Sequence, residues 1–323
     1  MDLSDVKYID NSNLSKLTRS KLYIGDILFT YVGTVGEVAI IEENDRYYLA
    51  PNVSRIRLNN GYNPYFVKQL LHTNRFYNKI IFPLIATSSQ PALSMENVRK
   101  FALQIPSISE QQKISSFLAL LDERIATQIK IIEDLKKLKS AISNKYLYDK
   151  SWPKYKISEI ATLGRGRVIS SKEIGLQRNP IYPVYSSQTS NDGVMGYLDT
   201  YDFDGEYITW TTDGANAGTV FYRNGQFNCT NVCGTIKVGE SFDAYFLSTI
   251  LQTATARYVS TNLANPKLMN NTMASIVVRI PDIKIQKYWS SILRKMEEKL
   301  SVESTILLAL QQQKQYLLAQ MFI

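Results

Sequence analysis

The sequence predicts an α+β protein: two repeated β-rich domains separated by two long antiparallel helices that form a coiled-coil spacer. Three observations carry this. The junction "IPSISEQQKISSFLALLDERI" returns as "IPDIKIQKYWSSILRKMEEKL", with Ile105-Pro106 and Ile280-Pro281 175 positions apart. The blocks ahead of each junction match in the same order, which is the mark of an internal duplication. After each junction, apolar residues recur at alternating steps of four and three, the spacing of a coiled-coil seam.

Taken in order, "GDILFTYVGTVGEVAII" from Gly25 matches "GEYITWTTDGANAGTVFY" from Gly205. "YLAPNVSRIRL" matches "FNCTNVCGTIKV", which sets Asn52-Val53 opposite Asn231-Val232. "NPYFVKQLL" then matches "DAYFLSTIL", and "QPALSMENVRKFALQIP" matches "NPKLMNNTMASIVVRIP". The runs of Val, Ile, Tyr, Phe and Thr between Gly, Asn and Asp turns read as strands. "YFVKQLLHTNRFYNKI" and "YFLSTILQTATARYV" read as short helices. A capping box of Ser109 with Gln112 is expected to start the first long helix, with a seam of Ile114, Leu118, Leu121, Ile125, Ile132, Leu135, Leu138 and Ile142. The second seam is Ile285, Trp289, Ile292, Met296, Leu300, Leu307, Leu310, Leu317 and Met321. A helix from Ser109 to Leu147 is about 58 Å long, longer than a domain of about 100 residues is wide. The chain therefore divides into β domains 1–106 and 151–281 and helices 107–150 and 282–323. The second β domain starts near Trp152, some 53 residues before Gly205, whereas only 24 residues precede Gly25. This predicts an N-terminally incomplete first domain.

The net charge of +8 and pI near 9.2 point to a polyanionic partner. The charge is spread: residues 1–106 hold 12 Lys and Arg against 9 Asp and Glu, and residues 151–281 hold 11 against 10. A nucleic-acid surface must therefore be assembled by folding. No apolar run reaches membrane-spanning length, and the N-terminus has no signal-peptide pattern. Cys229 and Cys233 are the only cysteines, which fits a reducing cytoplasm.

The order of β domain, "EQQKISSFLALLDERI" helix, "W…K…ISEI", second β domain and a helix ending "LLAQMF" resembles the specificity subunit of type I restriction–modification enzymes. The resemblance spans essentially the whole chain, and "LSMENVRKFALQIPSISEQQKI" is its most specific stretch; the second copy reads "KIQKYW" where Glu-Gln is expected. It implies that each β domain is a target recognition domain reading one half of a split double-stranded DNA site. The helices would set the gap and dock two methyltransferase subunits, which motor-nuclease subunits then join. No cofactor and no membrane are implied for this chain. Two readers on a rigid spacer also suit half-sites about one turn, or 34 Å, apart.

Base reading needs polar loop side chains, while Arg and Lys hold phosphates. In the second domain the candidates are Arg165, Arg167, Tyr185, Ser187, Gln188, Asn191, Thr212, Asp213, Asn216, Lys267 and Asn270. In the first they are Tyr31, Thr34, Arg55, Ser88, Ser89 and Gln90. Turn chemistry alone also explains Asn, Asp and Ser in such loops. Ile129, Ile131, Leu293 and Leu308 exceed what one mutual seam uses and are candidates for docking the methyltransferase subunits. Catalytic motifs are lacking. "NPIY" at Asn179–Tyr182 lacks the second proline of the Asn-Pro-Pro-Tyr box of adenine methyltransferases and reads as a strand-edge turn. "GRGR" lacks the context of a dinucleotide loop, there is no Walker Gly-Lys-Ser/Thr, and His72 has no partner. The expectation is a non-catalytic reader. Its alternatives are a self-contained methyltransferase, which would bind S-adenosylmethionine, and an inactive recombination cassette or coiled-coil scaffold, whose affinity for DNA would not depend on salt.

Overall fold

In the computed structural model, which describes residues 17–85, 91–146, 149–260 and 265–322, the duplicated sequence becomes a duplicated sheet. Two compact units are present, Met1–Ile132 with Glu303–Ile323 and Glu133–Val302. Each long helix contributes to both.

Unit 1 has a three-stranded antiparallel sheet of β1 (Ile27–Thr30), β2 (Val38–Ile40) and β3 (Val53–Ile56), in the order β2-β1-β3. Three short helices follow: α1 (Pro64–Leu71), α2 (Asn74–Phe76) and α3 (Met95–Arg99). Asn63 caps α1 by accepting from the amides of Tyr65 and Phe66. Inward-facing Ile27 and Phe29 join Phe66, Leu71, Phe76, Leu93 and Leu118 in one core. There Phe101 meets Phe29 and Phe76 edge-on at 5.5 and 5.3 Å. The chain then enters α4 (Ile108–Tyr146).

Unit 2 opens with β4 (Lys154–Lys156), α5 (Ile157–Ile160), β5 (Ala161–Arg165) and α6 (Ser171–Gly175). Strands β6 (Tyr182–Tyr185), β7 (Val194–Leu198), β8 (Tyr207–Thr211), β9 (Val220–Arg223), β10 (Asn228–Cys229) and β11 (Cys233–Val238) follow. Then come α7 (Ala244–Ala254), α8 (Asn270–Ser275), β12 (Val277–Arg279) and α9 (Ile283–Met321). The main sheet has the order β5-β11-β8-β9, a small sheet has β10-β6-β7, and β4 pairs with β12. Strands β9-β8-β11 of unit 2 thus match β2-β1-β3 of unit 1. Ile27 pairs with Ile56 and Phe29 with Ser54, just as Ile208 pairs with Ile236 and Trp210 with Gly234. This pairing sets Val53 opposite Cys233, not Val232, so the sequence match slips by one residue here. Gly234 is glycine because the Trp210 ring fills the space of its Cβ, at 2.3 Å; unit 1 has the smaller Phe29 and tolerates Ser54.

The sheets differ at one edge. In unit 2, β11 is paired on both sides, by β8 and β5. In unit 1, β3 has only β1 beside it among the described residues.

The helix starts repeat one hydrogen-bond network. Gln111 and Gln286, each 1% exposed, donate to Pro106 O and Pro281 O at 2.9 Å. Each also accepts, at 2.8 Å, from the backbone N–H of the residue that caps α1 or α7, Asn63 or Asp243. Ser115 and Ser290 donate to those same capping side chains. The capping box expected at Ser109 and Gln112 instead lies at Ser107 and Glu110, because α4 begins at Ile108. Asp282 takes the equivalent place before α9, accepting from the amides of Lys284 and Ile285.

The two long helices run antiparallel. In unit 1, Asp122 pairs with Lys314, and the Gln128 amide donates to the Glu303 carbonyl at 3.0 Å and to its carboxylate. In unit 2, Lys139 pairs with Glu297. The buried stripe of α4 includes Leu118, Leu121, Gln128 and Ile132, and Leu135 and Ile142 are half-buried. Leu138 does not belong to it: four residues beyond Leu135 the stripe reaches Lys139, and Leu138 faces solvent. On α9, Ile285 is exposed while Gln286 and Leu293 are buried.

Candidate nucleic-acid interface

The "GRGR" run crosses the end of β5, where its glycines serve packing and its arginines face outward. A Cβ on Gly166 would lie 2.1 Å from the Cys229 carbonyl oxygen, and Gly166 and Arg167 donate their backbone N–H groups to Cys233 O and Cys229 O. Arg165, half-exposed, is aimed by this turn at the loop after β8. Its Nη2 donates to Thr212 Oγ1 at 2.9 Å and lies 3.3 Å from Asp213 Oδ2. Thr212 is buried, and its hydroxyl donates to Asp213 at 2.6 Å. It braces the arginine and cannot itself reach a ligand. Lys267 approaches the other Asp213 oxygen at 3.5 Å. Backbone pairing of Asp213 with Lys267 and of Leu268 N–H with Thr212 O brings the two loops together.

Asn270 stands beside this cluster, donating to Gly164 O at 3.1 Å, while its Oδ1 is buried with no partner among the described residues. Five predicted residues from three separate stretches thus converge: Arg165, Thr212, Asp213, Lys267 and Asn270. Asn216 is exposed at the tip of the same loop, and its carbonyl accepts from the Thr211 and Thr219 hydroxyls.

A second group forms around the β6–β7 connection. Tyr185 is half-buried against Arg223, whose guanidinium lies 3.6 Å from the ring centroid. Burial, the larger effect, pushes the Tyr185 hydroxyl up, against the pull of that cation. Arg223 is itself buried and donates to the Asp192 carboxylate at 2.6 Å and carbonyl at 2.7 Å. It ties down the loop that carries Ser187, Gln188 and Asn191. Gln188 uses its amide N–H on Val194 O, and Asn191 is exposed in a left-handed conformation, φ 49°. Sequence reasoning missed Arg223; its only signal was an arginine at the end of an otherwise apolar strand.

Other candidates are committed elsewhere. Arg167 donates to Glu173 at 2.7 and 3.2 Å and to Asp202 at 3.2 Å. These carboxylates neutralise it, and the Arg167 hydrogen bonds hold the Glu173 carboxyl below its usual range. In unit 1, Arg55 donates to the carbonyls of Lys21 and Arg19 and braces that segment. Tyr31 is packed against the core, its backbone carbonyl accepting from Leu93 N–H, and Thr34 is exposed at the loop tip. The β1–β2 loop with Thr34 is the counterpart of the β8–β9 loop with Asn216, since Val32 pairs with Ala92 as Asp213 does with Lys267. Ser88, Ser89 and Gln90 lie outside the described residues.

On the helices, Ile129, Ile131 and Leu308 are exposed, at 40, 38 and 55%. Leu293 is 0% exposed and belongs to the unit 2 core, because the inward face of α9 there follows Gln286, Ser290 and Leu293. It is not available to a partner. Of the remaining motifs, "NPIY" runs from a bend, where the Arg178 and Asn179 amides donate to Asp199, into the start of β6. Cys229 and Cys233 are buried thiols 3.5 Å apart, and the hydrogen bond from Cys233, helped by burial, pushes the Cys229 thiol up. Among the described residues no cluster of three or more His, Cys, Asp or Glu could hold a metal, and no helix is long and apolar enough to cross a membrane.

The family model described as "Type I restriction modification DNA specificity domain" matches residues 5–137 and again 149–312, one match per repeat. A Mycoplasma pneumoniae protein named as the N-terminus of type I specificity subunit S.MpnORF289P is 47% identical over 141 residues, covering 43% of this chain and 74% of the relative. S.MpnORF365P from the same organism is 35% identical over 216 residues, 64% of this chain and 80% of the relative. The MpnII type I restriction enzyme specificity subunit is 41% identical over 146 residues, 45% of this chain and 43% of the relative. Among solved structures, the type I restriction-modification S subunit of M. genitalium superposes with a TM-score of 0.68 at 17% identity, over 94% of this chain and 84% of that one. A chain from a study of type I R-M complex assembly and conformational transition gives 0.58 at 14%, over 94 and 82%.

Proposed function

The chain belongs to the type I restriction modification DNA specificity family, and we propose that it is the non-catalytic subunit that reads a bipartite duplex site and directs methyltransferase and nuclease subunits to it. The observation that carries this reading is the repeated sheet with unlike loops at equivalent positions. Unit 2 presents Asp213, Asn216 and Lys267 where unit 1 presents Val32, Thr34 and Ala92, and Arg165 is added beside them by β5. Equal scaffolds with unequal loops suit two half-sites of different sequence.

Arg165 is the residue best placed to read a base. A guanidinium offers the fork that matches guanine O6 and N7, and Asp213 with Thr212 fixes its direction beforehand. Lys267 and Asn216 supply backbone and edge contacts beside it. The chemistry belongs to the partner subunits, whose docking surface includes the exposed Ile129, Ile131 and Leu308. Binding of the assembled complex at fixed salt to duplexes scrambled in one half-site at a time tests the reading. Loss from either scramble supports it; indifference to both defeats it.

A further inference from the structure

Asp192 and Arg223 form an ion pair whose ends lie in opposite surroundings: the Arg223 side chain is 3% exposed and the Asp192 side chain 72%. The guanidinium sits between the rings of Tyr185 and Phe221, 3.6 and 4.4 Å from their centroids. Its Nε donates to Thr209 Oγ1 at 3.3 Å, its Nη1 to Asp192 Oδ2 at 2.6 Å and its Nη2 to Asp192 O at 2.7 Å. A buried cation is costly unless it is paired and hydrogen-bonded, so Arg223 holds both the carboxylate and the carbonyl of Asp192. Asn191, Asp192 and Gly193 all take left-handed backbone conformations, with φ of 49°, 52° and 81°. For the two non-glycine residues that geometry persists only where the surroundings over-determine it, and the double hold from Arg223 does so.

The hold leaves an acceptor over. Asp192 Oδ1 has no hydrogen-bond donor among the described residues, and the carboxylate faces solvent. Asp213 differs: Arg165 and Thr212 engage one of its oxygens and Lys267 the other. The loop that carries Asp192 leaves unit 2 beside that cluster. Tyr185 O accepts from Thr230 N–H at 2.8 Å, and Val232 O, two residues on from Thr230, accepts from Thr212 N–H at 3.1 Å. Ser186 N–H donates to Gly193 O at 3.0 Å and closes the loop. A carboxylate that faces a polyanion is repelled unless it meets a donor there. In the major groove the base donors are the amino groups at cytosine N4 and adenine N6.

We propose that Asp192 is a specificity residue that accepts a hydrogen bond from an exocyclic amino group of a base, and that Arg223 is the positioning residue that aims it. This rests on the reading of duplex DNA by the chain and adds to unit 2 an element opposite in polarity to Arg165. The arginine offers donors to guanine, and the aspartate offers an acceptor to cytosine or adenine.

The test measures binding of the assembled complex at fixed salt. Each cytosine or adenine of both half-sites is replaced in turn by 2-pyrimidinone or purine, which lack the exocyclic amino group. One substitution, in one half-site, should weaken the wild type roughly tenfold beyond its effect on the Asp192→Asn protein; the lost base pairing is common to both proteins and cancels. Which analogue does so identifies the base. In Asp192→Asn the amide oxygen keeps the bond from Arg223 and turns N–H groups outward, so this protein should bind the natural duplex roughly tenfold more weakly and lose no more with that analogue. Arg223→Lys keeps the charge without the fork and should reduce the coupling at the same base. Equal effects of every analogue on both proteins overturn the proposal. So does tighter binding of Asp192→Asn to every duplex, which would mean that the carboxylate only repels phosphates. A uniform loss on all duplexes with a lowered unfolding midpoint would make the pair structural and also overturn it. Failure of the DNA-reading function itself looks different, as wild-type binding indifferent to scrambling of either half-site.

Discussion

Replacing Arg165 by Ala separates reading from folding. The side chain is about a third exposed, and its bonds are those to Thr212 Oγ1 and Asp213. A partly exposed pair of this kind contributes at most about 1 kcal/mol to stability, and the Thr212 hydroxyl still satisfies Asp213 after the change. If the guanidinium reads a base, binding should weaken by about 1–3 kcal/mol, roughly 5- to 160-fold. The loss should appear only on duplexes that keep the half-site read by unit 2, since a scrambled half has no base contact left to lose. Anisotropy titrations of the complex at fixed salt, repeated across a salt series, measure it. Arg165→Lys retains the charge but not the bidentate fork and should recover little. Refutation would come from an equal loss on every duplex with a salt slope shallower by about 0.9, the signature of a phosphate contact, or from no loss at all.

Other expectations follow the same geometry. Leu308→Asp should leave thermal unfolding unchanged and weaken copurification with the methyltransferase subunit, whereas Leu293→Asp, at a fully buried site, should destabilise unit 2 by several kcal/mol; unchanged assembly by Leu308→Asp removes that face from the interface. Gln286→Leu leaves Asp243 N–H and Pro281 O unpaired and should cost about 2–4 kcal/mol, read as a lowered denaturation midpoint; a cost under about 0.5 kcal/mol would show that water replaces the amide. Burial pushes the Asp26 carboxyl up, but the bonds from Arg57 at 2.7 Å and from Tyr23 N–H at 2.9 Å outweigh it and hold it below its usual range. Its stabilisation is thus present above the unfolded carboxylate pKa near 4 and lost as pH falls through the lower folded value. Asp26→Asn should flatten the acid dependence of unit 1 unfolding; an unaltered acid limb would assign that dependence to other groups.

Much of the fold was legible because duplication is visible without geometry: the strand order of one unit, once read, gives the other. The helices were legible by period, but their facing was not. A heptad stripe admits polar members, and Gln128 and Lys139 sit inward through Glu303 and Glu297 from the distant second helix. No local pattern shows those partners, so the apolar spacing alone sets Leu138 inward and Leu293 outward, the reverse of where the two side chains lie. The site behaves likewise. Arg165, Asp213 and Lys267 were legible as polar loop residues, whereas the neutralisation of Arg167 by Glu173 and Asp202 depends on loops meeting in space. Arg223 escaped notice because a buried arginine on a strand is explained only by Asp192 and Tyr185 around it.

The proposed function requires that this chain choose where DNA is modified. Methylation-sensitive long-read sequencing of host DNA, with the gene intact, deleted, and carrying Arg165→Ala, measures that choice directly. The expected result is a split methylated motif that vanishes on deletion and relaxes in one half only in the Arg165→Ala strain. A methylation pattern identical in all three strains would contradict it.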